Sequence, residues 1–312
     1  MKPWVGRDIP RPDAPDKAAG KAIYIHDLER PKMLFGKVLF SEHAHARILS
    51  INTEKAKKLP GVRAVITGFD TRAVPFGFLR DNVALKKDKV RQFRDEVAAV
   101  AAIDPDIAAA ALELIEVEYE PISGIFDPVA AMAEDAILIH ETDGRGRPSK
   151  NNRLPLEFHH QSGDLEAGRR KSKWIVEGEF STPLIQQSCM GTAGCIAEFD
   201  SSSNLTIWAK TQIPFLAQRD FNRALVSMGL RGKNSRVIVP ALGGAFGTGL
   251  DTHAYEYIAI LLAHCTGRPV KMLYTREEEF ACLSPRQSTI TKIVQGCDEE
   301  GRLTLREVRV LQ

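Results

Sequence analysis

The stretch best suited to chemistry is Gly243-Gly244-Ala245-Phe246-Gly247-Thr248-Gly249. It follows an apolar run of strand length, Val237-Ile238-Val239-Pro240. After it, from Thr252 to His264, Tyr255, Ile258, Leu262 and Cys265 recur at three- and four-residue spacing, the period of a helix face. Strand, glycine-rich loop and helix N-terminus together can receive an anion, because backbone N–H groups converge there and the helix dipole adds about half a positive charge. Two nucleotide fingerprints fail. The dinucleotide pattern G-x-G-x-x-G lacks its last glycine after Gly247-Thr248-Gly249, and no Gly-Lys-Ser/Thr follows for a P-loop. An independent nucleotide-binding protein is therefore disfavoured, and on the loop alone a structural tight turn and a ligand site both remain open.

Other groups carry less. Gln212, in Thr211-Gln212-Ile213-Pro214, ends the strand that runs through Ile207-Trp208; taken alone, such a Gln is an ordinary turn former. Gln218, on the helix expected around Phe215–Met228, is expected to tolerate replacement by Glu. His43 and His45 share a face if the chain is extended, but a pair of histidines falls short of the three protein ligands of a catalytic zinc site, and a structural role is expected. His159 and His160 point to opposite faces if extended. Cys189, Cys195, Cys265, Cys282 and Cys297 include no C-x-x-C pair, so neither a zinc site nor a cysteine-ligated iron–sulfur cluster is encoded. Reduced, structural cysteines in a cytoplasmic protein are expected.

The elements that must position these residues fall into two regions. Residues 1–20, rich in Pro, Asp and Arg, read as an extended arm. Strands are expected at Phe35–Phe40, Ala46–Ile51 and Val62–Ile66, with a short helix capped by Thr53 between the last two. The apolar run Val97–Ala102 leads to Asp104-Pro105, an N-cap followed by proline at the first helical position. Ile115-Glu116-Val117-Glu118-Tyr119-Glu120 then alternates apolar and acidic, as a half-buried strand does. These make an α+β domain over 21–125, followed by a linker at 126–152 containing Asp143-Gly144-Arg145-Gly146-Arg147-Pro148. The second region, 153–312, carries the strands Trp174–Phe180 and Leu205–Trp208, the glycine loop, a strand Val270–Tyr274 and a hairpin of Thr289–Val294 with Leu303–Val310. The chain reaches Gln312 inside that last strand, and a truncated or split subunit is expected.

Bulk properties exclude several classes. A hydrophobic content of 44% with 26% charged residues is that of a globular chain able to bury a core. With 42 basic and 40 acidic residues the net charge is +2, and the densest basic stretch, Arg169-Arg170-Lys171-Ser172-Lys173, reads as a solvated loop entering a strand. Nucleic acid is not an expected partner. Nor is a membrane: no stretch approaches the ~20 apolar residues of a spanning helix, and Met1–Asp8 lacks the apolar core of a signal peptide.

A succession of motifs carries a resemblance. Thr211-Gln212-Ile213-Pro214, Arg236-Val237-Ile238-Val239-Pro240, Gly243-Gly244-Ala245-Phe246-Gly247, Gly267-Arg268-Pro269-Val270-Lys271 and Thr275-Arg276-Glu277-Glu278 resemble, in order, the first half of the molybdenum-binding region of the xanthine dehydrogenase and aldehyde oxidase family. Upstream, Ser41–Ile48, Pro60-Gly61-Val62, Asp88–Arg91 and Val117–Pro121 resemble that family's α/β hammerhead domain. The resemblance covers nearly all of the chain. It implies an α+β fold in which the hammerhead domain is followed by the first part of a molybdenum-cofactor-binding α+β domain. The hydroxybenzoyl-CoA reductase and aldehyde oxidoreductase branch is the nearest in flavour.

The resemblance also implies roles. Gln212 would bond the apical oxo group of molybdenum, and Phe246-Gly247 would lie beside the metal centre; Gln212 and Phe246 would thus contact the ligands of the metal. Gly243, Gly244, Ala245, Phe246 and Gly247 would be cofactor-binding, since oxo and hydroxide ligands want neutral donors. The cofactor would be molybdenum-molybdopterin, as the cytosine dinucleotide if the source is bacterial. Implied partners are the complementary C-terminal molybdopterin-binding half, a [2Fe-2S] small subunit and an FAD-binding medium subunit. No catalytic residue is expected in this chain, because the glutamate general base belongs to that complementary half. Departures are informative: Ala245 stands where a third glycine is usual, Gly249 where Lys is frequent, and Arg94 where Gly is usual. Gly191 stands where many members have a substrate-contacting Glu, which disfavours purine-type recognition. The leading expectation is a molybdopterin-binding subunit, or the first half of one, acting on an aromatic, heteroaromatic or aldehyde substrate and inactive as an isolated chain; the alternative is a non-catalytic or decayed fragment serving assembly.

Overall fold

The computed structural model describes residues 5–77, 79–142, 146–154 and 157–312. Met1–Trp4 of the expected arm and Asp143–Arg145 of the expected linker lie outside the described residues. In space the chain divides into two compact units, Met1–Glu120 with Ser188–Cys282, and Pro121–Gln187 with Leu283–Gln312.

The first unit is built on a seven-stranded mixed sheet. Its spatial order is Ser235–Ile238, Leu205–Ala209, Gly194–Phe199, Val270–Leu273, Leu34–Phe40, Glu96–Ala102 and Val62–Thr67. The expected strands are present, but the expected division at 126–152 separates two stretches of sequence rather than two bodies. Leu34–Gly36 pairs in parallel with Val270–Met272, so strands from both sides of that division share one sheet. The physical reason lies in their composition. Glu96–Ala102 is buried at every position and Val270–Met272 is buried throughout, and such strands need neighbours on both edges and cover on both faces.

Helices supply that cover. Pro105–Leu112 packs Ala108 and Ala111 against Val65, Ala98, Val100 and Ala102. Asp104 caps it as expected, its carboxylate accepting from Asp106 N at 2.8 Å and Ile107 N at 3.4 Å. Ala254–Thr266 lies on the Gly194–Phe199 and Val270–Leu273 strands and is buried all round from Ala254 to Ala263. The one-sided face expected from its spacing is therefore incomplete, and Cys265, placed on that face, is exposed at its last turn. Gly267 ends the helix in the left-handed conformation, φ +62°. A smaller sheet pairs Ala46–Asn52 with Lys89–Val90 and Glu116–Pro121.

The second unit centres on three antiparallel strands in the order Leu303–Leu311, Thr289–Cys297, Trp174–Thr182, which includes the expected hairpin. The helix Leu165–Lys171 packs on it, with Gly168 close to the carbonyl of Thr304. Three expectations need correction. The basic stretch Arg169–Lys171 is the last turn of this helix rather than a loop, where cations complement the dipole, and Arg169 pairs with Glu307 at 2.5 Å. The stretch 1–20 is not wholly extended. It contains the exposed helix Ala14–Ala18, with Pro15 in its first turn and Asp13 bridging Arg11 at 2.8 Å and Lys17 at 2.6 Å. The linker is folded too: Asn152 donates to the carbonyls of Ala131 and Ile137 and accepts from Ile139 N. Among the described residues, no helix is long and apolar enough to cross a membrane.

Candidate functional site

The glycine loop leaves the strand Ser235–Ile238 and passes Tyr24, which forms a parallel bridge with Ala241. It then turns sharply. Gly244 has φ +100° and Gly247 φ +107°, while Phe246, a residue with a Cβ, sits at φ +49°. A left-handed non-glycine residue costs on the order of 1 kcal/mol and persists only where its surroundings enforce it. They do so here. Thr248 N and Thr248 Oγ both donate to Ala245 O, at 2.9 and 2.8 Å. The ring of Phe246 folds back over Gly244, where an added Cβ would meet ring carbon Cε2 at 2.9 Å. Ala245 is buried, and Phe246 is 74% exposed.

Gln212 is brought to this turn by backbone and side chain alike. Its N–H donates to Gly249 O at 2.9 Å, and its Oε1 accepts from Gly247 N at 3.1 Å. Because a backbone N–H can only donate, the amide orientation is chemically determined. The Oε1 end is occupied, and the NH2 end of an exposed side chain is left to donate elsewhere. Among the described residues, the N–H groups of Gly244, Ala245 and Phe246 donate to no protein acceptor. Among the described residues, the turn therefore carries three consecutive N–H groups without a protein acceptor, and Gln212 beside it an oriented amide donor. Such neutral donors suit an oxygen-rich anionic group, so these residues fit molybdopterin and its metal oxo ligands. Among the described residues no cluster of His, Cys, Asp and Glu could ligate a metal directly, and His43 and His45 form no such centre.

The turn is braced from behind. His253 Nε2 lies 2.7 Å from Thr248 O; since a carbonyl only accepts, Nε2 carries the proton, and burial holds His253 below its ordinary pKa, keeping it neutral. Gly191 faces the loop on another side. Its N–H donates to Gly243 O at 2.9 Å, and a Cβ on Gly191 would meet Gly243 Cα at 3.0 Å. Position 191 thus bears no carboxylate, and a side chain there would need the loop to give by a few tenths of an ångström. Gln218 corrects an expectation: its Nε2 donates to Ser235 O at 2.6 Å, pinning its helix to the strand, so it is no neutral surface position.

Three charged side chains that sequence reasoning missed hold the segment on either side of Gly191. Arg276 donates to Cys189 O at 2.6 Å and Met190 O at 2.7 Å. Lys210 reaches Gly191 O and, at 3.3 Å, Glu279. The other Glu279 oxygen accepts from Ala193 N at 2.5 Å. A lysine immediately after the alternating strand Leu205–Ala209 was the available signal.

The comparisons with known proteins agree with this architecture. Residues 146–312 match the family described as the molybdopterin cofactor-binding domain. Residues 19–123 match the a/b hammerhead domain of aldehyde oxidase and xanthine dehydrogenase. The chain is 35% identical to a probable xanthine dehydrogenase subunit of Bacillus subtilis, over 96% of this chain and 39% of that protein. It is 32% identical to the nicotinate dehydrogenase large molybdopterin subunit of Eubacterium barkeri, over 98% of this chain and 69% of that protein. Among solved structures, the reconstituted CO dehydrogenase from Oligotropha carboxidovorans superposes with a TM-score of 0.84 at 31% identity, covering 98% of this chain and 39% of that one. Fold and family matches define a chain that carries a hammerhead domain and a molybdopterin cofactor-binding domain. The chain belongs to the xanthine dehydrogenase/aldehyde oxidase family of molybdopterin-binding subunits and corresponds to their N-terminal region. It spans about two fifths of the length of the Bacillus subtilis relative and about two thirds of the Eubacterium barkeri one.

Proposed function

We propose that this chain forms one wall of a molybdenum hydroxylase active site, as the molybdopterin-binding subunit, or first half of one, of a cytoplasmic oxidoreductase. The substrate class is aromatic, heteroaromatic or aldehyde, and electrons pass to [2Fe-2S] and FAD partner subunits. The bound cofactor would supply two-electron redox chemistry. Gln212, through its oriented NH2, and the Gly243–Gly247 loop, through its orphan N–H groups, would hold and polarise its oxygen ligands. The glutamate base is assigned to the complementary half. Gly191, closed by Gly243, offers a substrate no charged contact, which disfavours purine-type recognition.

The Gln212–Gly247 hydrogen bond carries this reading, because it fixes which end of the amide faces a ligand. It also makes the test sharp. In Gln212→Glu a carboxylate oxygen can still accept from Gly247, so the substitution exchanges only the donor for an anion. In the complex reconstituted with the complementary half, molybdenum content or turnover is expected to fall by about two orders of magnitude or more, the equivalent of roughly 3 kcal/mol from a lost hydrogen bond and added repulsion. Gln212→Ala is expected to be milder, since water can donate in its place. Gln161→Glu, at an exposed loop position, serves as the control. If Gln212→Glu behaves like Gln161→Glu in an active complex, Gln212 is an ordinary turn residue and the assignment fails.

A further inference from the structure

The segment Cys189–Ala193 is gripped on one side by charge and touches the glycine loop on the other. Four of its backbone groups are bound by three side chains. Arg276 takes the carbonyls of Cys189 and Met190, Lys210 takes that of Gly191, and Glu279 takes the N–H of Ala193. Lys210 and Glu279 are 7% and 1% exposed and pair with each other at 3.3 Å, so their part of the grip lies inside the protein, while Arg276 works from the surface. His26 adds a contact from the N-terminal side, its Nε2 3.0 Å from Thr192 Oγ. On the opposite side the segment meets the loop through glycine backbone alone: Gly191 N–H donates to Gly243 O, and a Cβ on Gly243 would meet Gly191 Cα and N at 2.7 Å. No flexible side chain cushions that contact, so a displacement of Gly191 bears directly on the Gly243 backbone.

Lys210 is also two residues before Gln212, whose N–H and Oε1 are tied to Gly249 and Gly247. One buried ammonium therefore lies in a closed circuit: strand end, Gln212, the Gly247–Gly249 turn, Gly243, Gly191, and back to Lys210. We propose that Lys210, Glu279 and Arg276 are positioning residues, which hold Cys189–Ala193 as a strut and thereby set the Gly243–Gly247 loop against Gln212. The three side chains act only through the backbone groups of the strut. Its functional consequence rests on the reading of Gln212 and the loop as cofactor-facing; its mechanical content does not.

Amide hydrogen exchange of the full 312-residue chain tests the mechanical part without any cofactor. Gly191, Ala193, Gly247, Thr248 and Leu250 have hydrogen-bonded amides that report on it. Lys210→Met is expected to raise exchange at least tenfold in both segments, 189–193 and 243–250, while the strand Leu34–Phe40 keeps its protection. Lys210→Arg keeps the charge and can reach both acceptors, and it should restore most of the protection. Should Lys210→Met fail to fold, Glu279→Gln serves in its place. It retains an acceptor for Ala193 N but lacks the charge, and a rise of about threefold in both segments is expected. Faster exchange confined to 189–193, or an arginine variant no better than methionine, would overturn the proposal. In the complex, at matched molybdenum content, Lys210→Met should shift the Mo(V) electron paramagnetic resonance signal and Lys210→Arg should restore it; an unshifted signal would remove the link to the cofactor. Coupled exchange with an unremarkable Gln212→Glu would leave the strut standing and the proposed function refuted, and the reverse combination would refute the strut alone.

Discussion

Lys86 in the hammerhead region and Lys210 beside the glycine loop are both buried lysines held by buried glutamates, yet their partners lie at very different reach. Lys86 pairs with Glu96 at 2.7 Å and Asp95 at 3.3 Å and donates to Val83 O at 3.0 Å. Every partner is within ten residues. Asp95 in turn accepts from the backbone N–H of Arg91 and Gln92. That cluster closes a local turn at the entrance to the strand Glu96–Ala102. Lys210 reaches back 19 residues to Gly191 and forward 69 to Glu279. The first is a staple that shapes its own neighbourhood. The second ties separate stretches of chain together two residues from Gln212. Similar chemistry therefore closes a local turn in one place and, on the proposed reading of Gln212 and the loop, braces a site in the other; reach distinguishes them.

The largest expected effect tests that distinction directly. Lys86→Met and Lys210→Met each leave a buried carboxylate without its cation, and each should cost about 3–5 kcal/mol in urea unfolding. Molybdenum loading of the folded protein should separate them: Lys210→Met is expected to impair it, and Lys86→Met to leave it unchanged at temperatures where the chain is folded. Equal loss of loading in both variants would break the comparison.

How far the sequence anticipated these regions follows from the same difference in reach. Local rules were readable. Asp104-Pro105 announced its helix, the alternation from Ile115 to Glu120 announced a half-exposed strand, and Gly243–Gly249 stood where strand passes to helix. The strand Gly194–Phe199 escaped notice. It is buried and flanked on both edges, and Gly-Cys-Ile-Ala shows neither alternation nor strong β propensity. Pairing between Leu34–Gly36 and Val270–Met272 spans over two hundred residues, and no local period specifies it. The bracing role of Lys210, Glu279 and Arg276 is not legible in the sequence, because a charged letter carries no mark of the backbone group it will bind. The roles of Gln212 and the loop are what the resemblance implies, and the bond from Gly247 N to Gln212 Oε1 comes only from the structure.

A smaller effect sharpens the comparison by removing the lysine from it. Glu256 is as buried as Glu279, at 1% exposure, but the hydrogen bond it accepts comes from a backbone group, His253 N at 2.8 Å. Burial pushes its carboxyl up from 4.5 to about 8, against the pull of that hydrogen bond. The folded state therefore binds a proton between pH 4.5 and about 8 that the unfolded state has released, and this group's contribution to stability declines as pH rises through that window. At pH 7 the gap of about 2.5 pH units corresponds to about 3 kcal/mol. Glu256→Gln keeps the acceptor for His253 N and cannot ionise. It is expected to be more stable than wild type by about 3 kcal/mol at pH 7 and by under about 1 kcal/mol at pH 5. Urea titrations at the two pH values check this. A gain independent of pH, or a loss at pH 7, would show that Glu256 is paired in solution as Glu96 and Glu279 are.

The smallest effect lies in the turn beside the Lys86 cluster. Arg94 sits at φ +69°, immediately before Asp95, with its N–H donating to Ser41 O at 3.0 Å. A Cβ in that conformation is strained by about 1–2 kcal/mol, and glycine is free of the strain. The resemblance already marked this as a place where glycine is usual. Arginine has an offsetting contact, since its guanidinium lies 5.9 Å from the ring of Phe40 and 5.4 Å from that of Phe93, which is worth about 0.5–1 kcal/mol at a partly exposed site. Comparing wild type with Arg94→Gly therefore mixes two opposing terms. Comparing Arg94→Gly with Arg94→Ala isolates the backbone, because both lack the guanidinium and only alanine retains the strain. The glycine variant is expected to be more stable than the alanine variant by about 1 kcal/mol. Hydrogen exchange at Gly247 and Thr248 should be identical in the two, because the Lys86 staple shapes only its own turn. A difference at the loop would mean that the two lysine clusters communicate through the sheet, and that local reach in the fold does not confine a cluster's influence.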